Sequence, residues 1–183
     1  MARYAAFLKG MNLGGRRISN ADLRAAVESL GLGDVETFRA SGNVVFDAGR
    51  RAEGSLQRLL ETGLRERLGY EVATFVRSGA ELSAIAGAAP FSEKQLAGAG
   101  KLQVALLGAR PAAKARREAL ALAVESDLLS FGERELFWLP AGGVSESPLD
   151  WRALERALGA TTVRTMGTVE QIAARWFASP ERT

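Results

Sequence analysis

The chain has 183 residues, of which 47% are hydrophobic, and a formal net charge of +3 at pH 7. This length and composition favour one large globular domain or two small, closely packed ones. Cysteine and histidine are both absent, which excludes disulfides, thiolate zinc sites and a nucleophile activated by histidine. The sequence predicts no metal site and no cofactor.

The charge and hydropathy patterns favour a cytoplasmic protein. Twenty of the 24 cationic side chains are arginines, but the small net charge does not by itself favour a nucleic-acid partner. The longest uncharged run, residues 82–92, is about half the length that a membrane-spanning helix needs. The N-terminus has no signal-peptide pattern, so we expect no membrane association.

In the first half, the spacing of apolar residues predicts the element order βαββαβ. The predicted elements are a strand at 4–9, a helix near 20–30, strands at 35–40 and 44–47, a helix near 51–68 and a strand at 71–77. Ser19 and Ser78 are predicted helix caps, since each precedes an acidic residue by three positions. A short third helix is predicted after Ser78.

The second half predicts the same order again. Its elements are a strand at 101–108, a helix after Pro111, strands at 128–131 and 135–139, a helix opened by Ser147 and Pro148, a strand at 161–165 and a last helix through Trp176. Residues 73–86 also align without gaps on residues 160–173, with six identities in 14 positions. An identity run that falls where the element order repeats indicates a duplication.

These patterns predict an α+β fold of two ferredoxin-like (βαββαβ) halves related by duplication and packed together. The expected organisation is a first half with a trailing helix at 1–90, a join at 91–100, a second half with a C-terminal helix at 101–178, and a tail at 179–183. The join lies in a stretch rich in glycine and alanine.

The segment FLKGMNLGGRRIS, residues 7–19, leads from a predicted strand through glycines to a predicted helix start. Free backbone N–H groups, the helix N-terminus and nearby cations together favour an anion. The spacing matches neither the P-loop nor the dinucleotide fingerprint. The alternative is a surface loop whose cations are solvated.

Two further segments also have a structural and a functional interpretation. Ser41-Gly42-Asn43 is typical of a hairpin turn, but its hydroxyl and amide groups could also face the glycine loop if both lie at the same end of the sheet. Residues 161–168, TTVRTMGT, place hydroxyls around Arg164. The structural interpretation of that segment is a strand end followed by an N-cap at Thr168, paired with Gln171.

An RNA-binding sheet and a catalytic site are both weakly indicated. Phe7 and Phe46 could stack bases on a four-stranded sheet, but the RNP1 pattern is absent, and core packing is the simpler interpretation of the strand aromatics. Those aromatics are Phe7, Phe46, Phe131, Phe137 and Trp138. The aspartates Asp22, Asp34, Asp47, Asp127 and Asp150 form no motif, so no catalytic residue is predicted.

Several motifs resemble those of a bacterial family of unknown function, domain-of-unknown-function family 1697. FLKGMNLGGRRIS resembles its LLRGINVGGK-type motif and FRASGNVVF its YIQSGNVVF-type hairpin, while KLQVALLG, ELFWLPAGG and TVRTMGTVEQIA follow in the expected order. The resemblance implies two ferredoxin-like halves packed together and no known activity. The family's T-x-R-N-W-N-T-V motif is matched at Thr162, Arg164, Thr168 and Val169, but Thr165, Met166 and Gly167 depart from it.

Our leading hypothesis is a small binding protein for an anionic, phosphate-bearing small molecule or for nucleic acid. The candidate ligand-binding residues are Lys9, Gly10, Asn12, Gly14, Gly15, Arg16, Ser41, Gly42, Asn43, Arg164 and Thr168. The alternatives are an enzyme that acts on a phosphorylated small molecule through a carboxylate or lysine, and a protein-interaction module. The sequence does not predict an oligomeric state.

Overall fold

The structure, a computed structural model, describes residues 2–11, 18–39 and 42–178. In chain order the elements are β1 (Arg3–Leu8), α1 (Asn20–Glu28), β2 (Gly33–Thr37), β3 (Asn43–Asp47), α2 (Glu53–Leu68), β4 (Thr74–Ser78), α3 (Gly79–Ala86), α4 (Glu93–Ala97), β5 (Gln103–Leu107), α5 (Ala113–Leu120), β6 (Leu128–Phe131), β7 (Glu135–Leu139), a 3-10 turn (Val144–Glu146), α6 (Trp151–Leu158), β8 (Thr161–Thr165) and α7 (Met166–Trp176). They form two compact units. The first unit comprises Met1–Ser83 and Ile172–Thr183, and the second unit comprises Ala84–Gln171.

The first unit is built on a four-stranded antiparallel sheet in the order β2-β3-β1-β4. Phe7 lies opposite Asn43, and Leu8 lies opposite Thr74. The end of β1 therefore lies beside the starts of both β3 and β4. We call this end of the sheet the β1 end. The candidate loop leaves the sheet here.

Helices α1 and α2 supply apolar faces to the core of the first unit because their apolar residues recur at helical spacing. In α2 the fully buried residues are Leu56, Leu60 and Leu64. Leu8 and Met11 join the same core cluster, and Ile18 packs against it. The segment at 12–17 thus has both of its flanking residues anchored in one core.

The second unit has a four-stranded antiparallel sheet with the equivalent strand order, β6-β7-β5-β8. Its core includes Ala105, Ala119, Leu136, Trp138 and Leu154. The strands β4 and β8 fall at equivalent positions of the aligned segments, and each runs directly into a helix. The chain is therefore an α+β protein with two four-stranded antiparallel sheets, which confirms this part of the predicted fold.

The end of α7 belongs to the first unit, where it covers the edge strand β2. Trp176 Nε1 donates to Glu36 Oε1 at 2.8 Å, and Arg175 donates to Glu36 Oε2 at 3.2 Å. The Trp176 ring meets the Phe38 ring edge-on at 5.6 Å between centroids. Covering an edge strand in this way protects it from pairing with other chains.

Some predicted helix boundaries are wrong because side-chain hydrogen bonds determine where these helices begin. The helix predicted to open at Ser147 begins at Trp151, since Asp150 accepts from the Ala153 N–H at 2.9 Å. Likewise, α7 begins at Met166 with the Thr165 hydroxyl accepting from the Thr168 N–H at 3.3 Å. Thr168 therefore lies inside the helix and is not its N-cap.

The other boundary differences concern the first hairpin, β4 and the join. The strands β2 and β3 occupy Gly33–Thr37 and Asn43–Asp47, and β4 begins at Thr74, three residues later than predicted. The predicted join contains a helix, α4, capped by Ser92 and Gln95 in a capping box. Both caps predicted at Ser19 and Ser78 are confirmed, since each hydroxyl accepts the predicted N–H.

Phe7 and Phe46 are both fully buried. Base stacking needs an exposed aromatic face, so neither ring can bind a base without opening the fold. Among the described residues, no helix has both the length and the apolar character needed to cross a membrane.

Candidate functional site

The backbone positions two of the sequence motifs side by side at the β1 end. The Leu8 N–H donates to the Gly42 carbonyl at 2.8 Å, and the Lys9 N–H donates to the Ala73 carbonyl at 2.9 Å. Lys9 and Gly10 therefore leave the sheet between the starts of β3 and β4. Gly10 and Gly42 therefore lie at the same end of the sheet, a relationship that the sequence had left open.

Gly42 makes the contact between the two motifs possible. Its φ of 70° lies in the left-handed region, and a Cβ there would lie 3.0 Å from Met11 Cγ and 3.1 Å from Leu8 Cβ. An L-residue side chain would thus meet both backbone strain and the start of the loop. Gly10 has a similar φ of 71°, as the loop interpretation predicted.

Asn43 has a structural role in the hairpin. Its side chain is buried, and Nδ2 donates to the Phe38 carbonyl at 2.9 Å, while the Phe38 N–H donates to the Asn43 carbonyl at 3.0 Å. The side-chain amide thus adds a second hydrogen bond across the turn. This arrangement ties the residue that follows β2 to the first residue of β3.

Helix α1 begins where the candidate loop ends. Ser19 caps it by accepting from the Asp22 N–H at 3.0 Å and by donating to the Asp22 carboxylate at 2.6 Å. The candidate residues Asn12, Gly14, Gly15, Arg16 and Ser41 lie outside the described residues.

Arg39 is a cation of this end that sequence reasoning missed. It is exposed and has a φ of 58°, and its Cζ lies 5.3 Å from the centroid of the Phe38 ring. A non-glycine residue in the left-handed region is uncommon. The signal available in the sequence was a basic residue two positions before the Ser41-Gly42-Asn43 turn.

The candidate residues Arg164 and Thr168 belong to the second unit. Arg164 donates to Thr162 Oγ1 at 2.9 Å and to the Val163 carbonyl at 2.8 Å, and burial lowers its pKa to about 10. The guanidinium is therefore still charged at neutral pH, in a desolvated position. Thr168 is buried, and its hydroxyl lies 2.9 Å from that of Thr165.

At the corresponding end of the second sheet, Arg110 and Arg116 both have partners within the second unit. The Leu107 N–H donates to the Arg134 carbonyl at 2.9 Å, which repeats the bond between β1 and the first hairpin. Arg110 forms an exposed ion pair with Glu133 at 3.0 Å. Arg116 donates to the Gly132 carbonyl and lies 5.0 Å from the centroid of the Phe131 ring.

Asp127 is a buried hydrogen-bond acceptor in the second unit. In the sequence it was one of five aspartates that formed no motif. It accepts from Trp138 Nε1 at 2.7 Å, from the Ser147 hydroxyl, from the Ser126 hydroxyl at 3.1 Å and from the Ala141 N–H at 3.4 Å. Burial alone would raise its pKa, but these donors outweigh burial and hold the pKa below its usual value. Four donors on one carboxylate indicate a structural role.

The described residues contain no group of three or more histidine, cysteine, aspartate or glutamate side chains that could hold a metal ion.

Comparisons with known proteins agree with the fold and assign no activity. The family described as "Protein of unknown function (DUF1697)" matches residues 1–137. Comparison with curated proteins gives no match. Among solved structures, the chain is similar to the conserved bacterial protein SP0830 from Streptococcus pneumoniae, with 21% identity and a TM-score of 0.75 over 94% of this chain and 97% of that one.

Proposed function

This chain belongs to DUF1697, a family of proteins of unknown function, and we propose that it binds an anionic, phosphate-bearing ligand at the β1 end. The observation that carries the proposal is the junction of Leu8, Met11 and Gly42. Two motifs separated by about 30 residues of sequence meet there, and the loop between Met11 and Ile18 has both stems fixed in one core.

The chemistry of this end is suited to an oxyanion. Lys9 and Arg16 supply positive charge, the amides of Gly10, Gly14 and Gly15 supply donors, and Arg39 adds a cation beside the turn. Ser41 and Asn12 would contribute polar contacts from the hairpin and the loop. Asn43 and Gly42 would act by placing the turn.

Arg164 and Thr168, which belong to the second unit, are proposed as ligand-binding residues of that unit. A desolvated guanidinium attracts an anion more strongly than an exposed one does, because water screens it less. The pKa of about 10 leaves Arg164 protonated at neutral pH.

The finer fold assignment is part of the same proposal. The order β2-β3-β1-β4, repeated as β6-β7-β5-β8, supports two ferredoxin-like halves at 1–90 and 101–178, related by duplication and joined at 91–100. We place the protein in the bacterial cytoplasm.

A thermal-shift screen tests the proposal with phosphate metabolites, nucleotides and short RNA and DNA oligomers. A ligand at 100 times its dissociation constant adds about 2.7 kcal/mol to the free energy of unfolding, which moves the midpoint by several degrees. Small phosphate compounds are expected to give this shift. A shift confined to oligomers and lost at moderate salt would indicate binding to the phosphate backbone, and no shift with any compound would refute an anion site.

A further inference from the structure

An open groove lies on the surface of the first unit between the end of α1 and the length of α2. Its volume is about 600 Å³. The floor is formed by Leu30 and Leu59, which are half-buried, and by Gly63. A Cβ on Gly63 would overlap Leu30, so the glycine lets the leucine lie flat against the helix and keeps the floor smooth.

The rim of the groove has opposite charges at its two ends. Arg51 lies at the N-terminal end of α2, where it donates to the Gly31 carbonyl at 2.9 Å and to the Leu30 carbonyl at 3.4 Å. Glu66 lies at the C-terminal end. These two carbonyls, which lie just after the end of α1, hold the guanidinium in place.

The side chains between these ends are small hydroxyl residues or are cationic. Ser55 and Thr62 are exposed on the same face of α2, and Arg58 lies at its middle. Within residues 2–11, 18–39 and 42–178, neither Arg51, Arg58 nor Glu66 forms an ion pair. The charges that rim the groove are therefore available to a partner.

We propose that the partner is a second copy of this chain, with α2 packed antiparallel on the α2 of that copy about a two-fold axis. The axis passes between Arg58 and Leu59, because the rim is symmetric about that point in the sequence. In this register Arg51 faces Glu66 of the second copy, and Ser55 faces Thr62 of the second copy. The two-fold axis repeats each contact, so two ion pairs and two hydroxyl contacts form together.

The composition of the groove favours its own copy over an unrelated partner. A surface that is positive at one end and negative at the other is complementary to itself when it is turned end to end. Ser55 and Thr62 have side chains small enough for two helices to approach to about 8–10 Å. Leu30 and Leu59 then supply the apolar centre, and Arg58 lays its aliphatic stem across Leu59 of the second copy with its charge toward water.

Sedimentation velocity on purified variants tests this interface. The wild-type chain is expected to associate into a dimer, and Glu66→Arg is expected to weaken that association at least tenfold because it places two cations opposite each other at both ends. Arg51→Glu should do the same. The double variant that carries both changes should recover the wild-type affinity to within about threefold, because the ion pair is restored in reverse.

Two controls keep the result interpretable. Arg67→Glu, a neighbouring and exposed position of α2 outside the groove, should leave the association unchanged. Because Arg51 also binds the two carbonyls that follow α1, circular dichroism is used to check that each variant is folded. If Arg51→Glu is not folded, the comparison of Glu66→Arg with the wild type decides the test. A wild-type chain that remains monomeric at millimolar concentration, a Glu66→Arg variant that dimerises like the wild type, or a folded double variant that does not recover would each overturn the proposal.

Discussion

The Leu8 N–H donates a 2.8 Å hydrogen bond to the carbonyl of Gly42, and this bond places the end of the first strand against the first hairpin turn. The contact depends on antiparallel pairing, because β3 begins opposite the point where β1 ends. The pairing of β1 with β3 brings the end of the first motif next to the second motif, which lies about 30 residues later in the sequence. The junction is the structural basis of the proposed anion site.

Gly42→Ala is expected to destabilise the protein more than Gly49→Ala. Both glycines have positive φ, 70° and 62°, and for each the left-handed backbone alone costs about 1–2 kcal/mol in an alanine variant. Only Gly42 would bring its Cβ against Leu8 and Met11, because nothing lies within 4 Å of the Cβ position at Gly49. Urea denaturation of the two variants measures the difference. Equal losses would mean that the hairpin does not pack closely on the loop.

Asp127→Asn is expected to lower the free energy of unfolding at neutral pH by about 1–3 kcal/mol. An asparagine offers one acceptor oxygen where the carboxylate offers two, so some of its donors are left without a partner. The folded-state pKa of Asp127 lies below its usual value. The stability that its charge contributes is therefore complete above the unfolded-state pKa of about 3.9 and is lost as the pH falls through the lower folded-state pKa.

The stability difference between the wild type and Asp127→Asn should accordingly be constant above about pH 5 and shrink below about pH 3.9. Denaturation at pH 7 and at pH 3 measures this. Asp34→Asn is the control, since Asp34 forms only an exposed ion pair with Arg3 at 3.6 Å. A difference that grows on acidification would contradict the assignment.

Trp176→Phe is expected to cost about 1 kcal/mol through loss of the hydrogen bond to Glu36, while the ring contact with Phe38 is largely kept. Glu36→Gln keeps an acceptor oxygen for the indole N–H and loses only the exposed ion pair with Arg175, so it should cost less. Thermal unfolding of both variants gives the comparison. If Glu36→Gln proves the more damaging change, the ion pair and not the indole holds α7 on β2.

Gly63→Ala should stabilise the protein less than Gly54→Ala does, although both glycines lie in α2. Alanine at Gly54 meets nothing within 4 Å and is expected to add up to about 1 kcal/mol through helix propensity. Alanine at Gly63 must displace Leu30, which offsets that gain or exceeds it. Chemical denaturation checks the order of the two variants, and a gain at Gly63 equal to that at Gly54 would show that Leu30 moves freely.

Apolar periodicity predicted the elements well because burial decides most of them. The strands β6, β7 and β8 have the predicted bounds, and Leu56, Leu60 and Leu64 of α2 are buried as their spacing required. The errors occur where a side chain contacts a distant partner. Ser147 resembles a helix cap in sequence, yet its hydroxyl binds Asp127, which lies 20 positions earlier.

The sequence predicted the motifs of the candidate site but not how those motifs are arranged in space. Gly10 and Gly42 both have the positive φ that suits a glycine in a turn, whereas the meeting of Gly42 with Met11 depends on strand register. Arg39 was not among the predicted site residues because a single arginine in an arginine-rich chain is a weak signal of a binding site. The groove along α2 could not be predicted from the sequence either, since it forms where Leu30 lies against Gly63 in the folded chain.

The most direct test of the anion site is calorimetric titration of three proteins with inorganic pyrophosphate and with ATP. The proteins are the wild type, the double variant Lys9→Glu with Arg16→Glu, and a control with Lys94→Glu and Lys101→Glu, which changes the net charge equally at two exposed lysines of the second unit. We predict that the wild type and the control bind at least one of the two ligands with similar affinity and that the loop variant loses this binding while it remains folded. No binding by the wild type, or equal binding by all three proteins, would contradict the assignment of the β1 end as a phosphate site.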